Sequence, residues 1–231
     1  MALEPRLEIA TAEPLGCATE DLLVVHRMFR TLFGKSPAMV RSGRGASRKR
    51  LAAIDRNVRE IVHGLHVHHH GEDIMLWERI EDRAPACALH VARMRAQHAD
   101  IADRLDEVMD KLAGWQADRD GGLEPLAVAL EAVRDTLELH LADEETNVRP
   151  VASQVIRQSE WDGLAEHGLA AIPPKRRLVQ LGWILSGLDN DEDRREFWMK
   201  LPAPARAMYR IFGARKLRKE WMDLYHEPMP G

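Results

Sequence analysis

The chain has 231 residues, enough for one large domain with a substantial core, so its size alone demands neither disulfide nor metal staples. Its 33 basic and 37 acidic side chains leave a formal charge of −4, which argues against a general field for nucleic acid, and Cys17 and Cys87 lack the spacing of a disulfide framework or thiolate metal site. The opening MALEPRLEIATAEP has no signal-peptide apolar stretch, and no later run reaches the ~18 apolar residues that span a bilayer, so a cytoplasmic protein without nucleic-acid or membrane partner is expected.

Residues 1–18 carry two prolines and a glycine with no sustained period and read as an extended arm. A first helix is expected from about Thr19, whose hydroxyl would cap it, with Glu20 and Asp21 at the positive end of the helix dipole. Leu22, Leu23, His26, Phe29 and Phe33 share one face, and Gly34 is expected to end the helix in a long polar connection, GKSPAMVRSGRGAS. A second helix runs from about Ser47 towards Asp82. Its inward stripe is Ile61, Leu65, His68, Glu72, Met75 and Leu76, with Gly64 and Gly71 beside it as places for close helix packing. A third spans about Ala86 to Ala117, with Val91, Met94, His98, Ile101 and Leu105 on one stripe. A fourth begins near Pro125 and carries Val133, Leu137, His140, Glu144 and Val148, ending near Pro150. Nothing in 19–152 alternates like a strand, so this region is expected to be an all-α antiparallel four-helix bundle. Residues 153–231 are expected to form three or four shorter additional C-terminal helices, with Asp189 as one cap.

The chemistry sits in HVHHHGEDIMLW (66–77) and HLADEETNVRP (140–150). Residues four apart share a helix face, so His68 with Glu72, and His140 with Glu144, each form an imidazole–carboxylate pair pointing one way. A separation of 72 positions relates His68 to His140, Glu72 to Glu144 and His26 to His98, so the candidate ligands repeat as a block. Four histidines and two glutamates in a bundle core cost several kcal/mol each unless paired or ligated, and metal binding removes that cost. Imidazole and carboxylate without thiolate suit iron, manganese or zinc. Six protein ligands exceed the four of a tetrahedral zinc, so His26, His68, Glu72, His98, His140 and Glu144 are expected to hold two metals, with Glu72 and Glu144 bridging. His69 and Asp73 fall to the side of this set and are expected to orient ligands by hydrogen bonds. His63, His66 and His70 lie on a different stripe, facing outward or into an interface. The ferritin-like alternative needs two ExxH motifs, and only Glu60–His63 occurs. The basic runs RSGRGASRKR and ARKLRK read as solvated faces.

These residues resemble the hemerythrin-like family of HHE cation-binding proteins, whose repeated HHxxEE motif appears as His68, His69, Glu72 and Asp73 with Leu76 and Trp77, and again as His140, Glu144 and Glu145 with Pro150. The resemblance covers 19–152. It implies a non-haem di-iron centre with an oxo or hydroxo bridge, zinc or manganese as substitutes, and dioxygen, nitric oxide or peroxide as ligand. Oxygen-carrying hemerythrins place a further histidine one turn before the third-helix histidine, where this chain has Met94. That departure implies one nitrogen fewer and an open position, favouring redox chemistry or sensing over reversible storage. Hemerythrins also take their fourth-helix carboxylate five residues after the histidine. The repeat here favours Glu144, and Glu145 stands as the alternative.

The leading reading is an oxygen-, nitric oxide- or peroxide-binding or -sensing di-iron protein. Two others stay open: a di-iron enzyme acting on peroxide or ferrous iron, and a regulatory interaction module whose metal is structural.

Overall fold

Among the residues described by the computed structural model, 13–118, 121–188 and 190–229, helices form all secondary structure except one isolated bridge between Gly16 and Arg157. The arm expected over 1–18 thus lies mostly outside the described residues. Helix α1 spans Glu20–Arg41. Thr19 makes no side-chain cap; it is buried, and its hydroxyl accepts a hydrogen bond from Arg149 at 3.4 Å. The helix continues through Gly34 and Pro37 rather than ending there. Pro37 cannot donate to the Phe33 carbonyl, but the Ser36 hydroxyl does, at 3.1 Å. Met39 and Val40 are then buried, and the ~1.5–3 kcal/mol that each contributes outweighs the ~1 kcal/mol cost of a helical glycine.

Helix α2, Arg48–Met75, starts where the Ser47 hydroxyl accepts from the Arg50 amide. It breaks at Leu76, and α3 follows over Trp77–Arg83. A single 3-10 turn at Pro85–Cys87 leads into α4, Ala88–Ala117. Helix α5, Leu123–Asp143, runs through a π-helical turn, Glu144–Val148, into α6, Arg149–Val155. Pro150 has no amide proton for an α-helical bond to Thr146, and the wider turn accommodates it.

Helices α1, α2, α4 and α5 form a four-helix bundle. Side-chain pairs show its antiparallel course. Arg41 meets Glu124 while Arg30 meets Glu145, and Asp55 meets Gln116 while Asp73 meets His98. Helix α7, Gln158–Ala171, lies along α2, where a Cβ at Gly71 would come 3.1 Å from the His167 ring. Gly64 faces Phe29 of α1 at an ordinary 3.7 Å. Next come α8 (Arg177–Ser186), α9 (Asp191–Lys200) and α10 (Ala203–Met208); a second π turn at Tyr209–Gly213 leads into α11 (Ala214–Tyr225). The cap expected at Asp189 lies outside the described residues; Asn190 accepts from the Asp193 amide at 2.7 Å.

The C-terminal helices share the bundle's core. Val179, Trp183, Leu217, Trp221 and Leu224 belong to the same apolar cluster as Phe33, Ile54 and Leu130. Arg176 donates to Glu220 at 2.6 and 2.7 Å and to Glu60 at 2.7 Å, so α8 and α11 are tied to α2, and Glu60 of the lone ExxH motif is spent in an ion pair. The first basic run meets the end of α11: Lys49 pairs with Asp223, and Arg50 donates to the Leu224 carbonyl. No helix among the described residues is long and apolar enough to cross a membrane.

Every bundle helix crosses two apolar clusters and is polar between them. Leu22 and Phe29 flank His26; Leu65 and Leu76 flank His68, His69 and Glu72; Met94 and Ile101 flank His98; Leu137 and Val148 flank His140 and Glu144. In each pair one residue belongs to the larger cluster and the other to the smaller. The polar residues therefore form one layer across the bundle, sealed above and below.

Candidate metal centre

His26, Glu72, His98, His140 and Glu144 are all buried to 4% exposure or less, and the His68 side chain is 14% exposed. These six residues, read from the repeat, meet in one layer. Glu144 Oε2 is 3.3 Å from His26 Nε2 and 3.8 Å from His140 Nε2. Glu72 Oε1 is 3.3 Å from His68 Nε2, and its Oε2 is 3.6 Å from His98 Nε2. Each glutamate thus lies against two imidazoles from different helices.

The residue missed is His69. It is buried, its ring stacks on His98 at 4.1 Å with an interplanar angle of 10°, and it meets His140 edge-on at 4.9 Å. It hydrogen-bonds neither of these rings, so it does not take the orienting role expected of it. Instead its buried Nε2 has no hydrogen bond, and His69 joins them in one group of candidate ligands. Two four-residue groups bring one donor atom each within 4.8 Å of one another: His69, Glu72, His98 and His140, and His26, His68, Glu72 and Glu144. Glu72 belongs to both. The available signal was the spacing of three between His69 and Glu72, which also shares a helix face. The first group has three imidazoles, so the nitrogen that Met94 fails to supply from α4 has a counterpart on α2. Met94 itself is fully buried in the apolar cluster beneath the layer.

Among the described residues, the atoms that converge find no hydrogen-bond partner. Nε2 of His26, His68, His69, His98 and His140, both oxygens of Glu72 and Oε2 of Glu144 are buried without hydrogen bonds. The opposite ring nitrogens are tied down. His26 Nδ1 meets Glu145 at 2.8 Å, His98 Nδ1 meets Asp73 at 2.8 Å, and His140 Nδ1 meets Gln97 at 3.0 Å. Donating that proton outward leaves the Nε2 lone pair facing the centre, the tautomer that a metal requires. Asp73 thus takes the orienting role, and it also accepts from Trp77 Nε1 at 2.7 Å. Glu145 orients His26 and is held by Arg30 at 2.7 Å, outside both groups. His63 and His70 are exposed, and neither they nor His66 enter either group.

Electrostatics favours ligation. Burial, with the neighbouring histidines, drives the His68 and His69 imidazoles well below their usual range, and it lowers His140 to about 4, so these rings are neutral donors near pH 7. Burial and the Glu144 charge push Glu72 well above the usual carboxylate range. Burial works against charge on Glu144 as well, but the ion pair with His26, 3.3 Å away, outweighs it and holds Glu144 at about 2, while Glu144 and Glu145 in turn raise His26, so a cation bound here would take the place of the His26 proton. Because imidazole and carboxylate ligands must be deprotonated to bind, metal affinity rises with pH. The donor set of neutral imidazole and carboxylate without thiolate fits two borderline-to-hard cations such as iron, manganese or zinc.

A family model described as hemerythrin HHE cation-binding domain matches residues 17–152. No curated protein and no solved structure matches the chain.

Proposed function

Because the chain belongs to the hemerythrin HHE cation-binding family, we propose that it carries a pair of iron ions and binds or senses dioxygen, nitric oxide or peroxide there, in the cytosol. In this reading His26, His68 and Glu144 hold one ion, His69, His98 and His140 hold the other, and Glu72 serves both. The observation that carries the proposal is the convergence of eight buried, unpartnered nitrogen and oxygen atoms in two groups that share one carboxylate. A bound iron pair supplies redox electrons and an exchangeable position. The chain's own residues do the rest. Asp73, Gln97 and Glu145 fix the ring tautomers, and the two apolar clusters keep bulk water from the layer. His68 is the most exposed of the seven, with the Phe29 ring 5.3 Å away, so the small ligand enters on its side.

Elemental analysis and an absorption spectrum of aerobically purified protein test the reading. Two irons per chain, a near-ultraviolet charge-transfer band that shifts with azide, and loss of both in the His68→Ala, His140→Ala double variant are expected. One ion per loaded chain, or two retained by that variant, sinks it.

A sensing role is favoured over storage by the grip of the C-terminal helices on α1 beside His26. A Cβ at Gly187 would lie 2.9 Å from the Met28 amide nitrogen, and Arg27 pairs with Asp193 at 3.2 Å. Hydrogen exchange in α8 and α9 should then differ between the ferrous and ferric protein. Rapid peroxide turnover with no such difference would favour the enzyme reading instead.

A further inference from the structure

Away from the metal layer, α8, α9, the second π turn and α11 enclose a cleft of about 460 Å³, within the ~300–1,000 Å³ typical of small-molecule sites. Trp198, Tyr209 and Trp221 line it with aromatic surface. The placement of Tyr209 is built in. A Cβ at Gly213 would come 2.5 Å from its ring, and one at Gly182 would come 3.0 Å from its hydroxyl, so the ring passes between two backbones that only glycine leaves open. The π turn that starts at Tyr209 brings this about, and such turns cost regular helix geometry and recur at functional sites. Trp198 meets Tyr209 edge-on at 5.7 Å and carries the Arg210 guanidinium at 5.1 Å on its ring. Trp221 is 2% exposed, and its indole N–H has no acceptor, so a ligand acceptor reaching it would relieve a buried unsatisfied donor.

The charge at the mouth has one sign to spare. Arg194 spends one nitrogen on the Leu188 carbonyl at 3.0 Å and another on Asp191 at 3.5 Å. Asp191 is 94% exposed and pairs with Arg194. Arg195 lines the cleft and has no acidic partner among the described residues. An arginine fork beside aromatic walls matches a planar anion, because guanidinium pairs bidentately with carboxylate while the ring is covered by aromatic faces.

We propose that this cleft binds a small amphipathic anion, an aromatic carboxylate of one or two fused rings, with its ring against Trp198 and Tyr209 and its carboxylate on Arg195. The site is separate from the metal layer and does not rest on the reading of that layer.

The test uses the full-length, metal-loaded protein, with 2-naphthoate as probe and 2-naphthalenemethanol as its uncharged counterpart, followed by calorimetry and tryptophan fluorescence. One-to-one saturation by naphthoate at sub-millimolar concentration is expected. Arg195→Gln should weaken naphthoate at least tenfold and leave the alcohol within twofold, and Trp198→Ala should weaken both at least tenfold. Metal content and melting temperature, measured alongside, should stay unchanged in Arg195→Gln, because its side chain is exposed. Absence of saturation, a stoichiometry above one, or equal naphthoate affinity in wild type and Arg195→Gln overturns the proposal. Should Trp198→Ala fold poorly, the Arg195→Gln comparison of charged and uncharged probes decides alone.

Discussion

Replacing His69 with leucine separates a metal donor from a buried ring by the sign of a stability change. In the metal-free protein the His69 Nε2 is buried without a partner, which costs about 1–3 kcal/mol. Leucine removes that nitrogen and keeps an apolar side chain packed on His98, so metal-free His69→Leu should be more stable than metal-free wild type by about 1–3 kcal/mol. For a chain of this length each kcal/mol moves the melting temperature by roughly 2–4 °C, so the expected rise is about 2–12 °C. In the metal-loaded protein the sign reverses, because one of three imidazoles in the first group is gone and metal stabilises only what it binds. The variant should hold one ion per chain where wild type holds two, and should melt below loaded wild type. The assay is elemental analysis with thermal melts of chelated and reloaded samples of both proteins. Two ions retained with affinity within tenfold of wild type would show that His69 packs beside the centre without donating to it. A lower melting temperature in the chelated variant would refute the unsatisfied-nitrogen argument itself.

The two fourth-helix carboxylates should part in the same way. Glu144→Ala should empty the site that it shares with His26 and His68, whereas Glu145→Gln, which only loosens the His26 ring and Arg30, should keep two ions at about 10–100-fold lower affinity; equal losses would erase the distinction. Met94→His should leave the metal count at two and lower stability by about 1–3 kcal/mol, because a polar ring enters an apolar cluster and the third nitrogen is already present; a gain in stability or in oxygen-adduct lifetime would reverse that conclusion. Glu160 accepts from Arg83 at 2.6 and 2.7 Å and from the Arg157 amide at 3.0 Å, and the Arg83 hydrogen bonds are the largest cause holding it at about 2, against an ordinary 4.5. A depressed carboxylate stabilises above its unfolded value and loses that contribution as pH falls through its folded value. Metal-free wild type should therefore exceed Glu160→Gln by about 1–2 kcal/mol, after allowance for solvent screening, at pH 6, and the gap should close between about pH 4.5 and 2. A gap that stays constant over that window would show that the pair contributes through packing alone.

The helices and the polar layer were legible because both rest on local periodicity. A spacing of four puts His68 with Glu72 and His140 with Glu144 on single faces, and the 72-residue repeat picks these out from eleven histidines. What escaped was set by contacts distant in sequence. Gly34 and the Ser36–Pro37 pair read as a stop, yet α1 runs on, because Ser36 satisfies the carbonyl that Pro37 abandons and the core reclaims Met39 and Val40. Thr19 has the composition of a cap, but Arg149, 130 positions away, takes its hydroxyl. The C-terminal helices gave little signal because their apolar residues finish a core begun elsewhere: Trp183 and Trp221 join the cluster that Phe33 of α1 and Ile54 of α2 begin.

His69 belongs to this second kind, and it changes the chemistry inferred from counting ligands helix by helix. A wheel centred on His68 sets His69 about 100° aside, and on an isolated helix that is a flank. In the bundle the flank faces α4 and α5, where His98 and His140 complete a group with three imidazoles. The other group has two imidazoles, from His26 and His68, and two carboxylates. In the proposed reading the absence of a second α4 histidine therefore does not distribute an open position over both ions. The group richer in nitrogen is closed in by His69 and buried on every side, whereas the group poorer in nitrogen includes His68, the most exposed ligand candidate in the layer. In the proposed reading ligand exchange belongs at the second group, next to the stretch of α1 that the C-terminal helices grip through Gly187 and Asp193, so a change in what is bound there would have the shortest physical route to them.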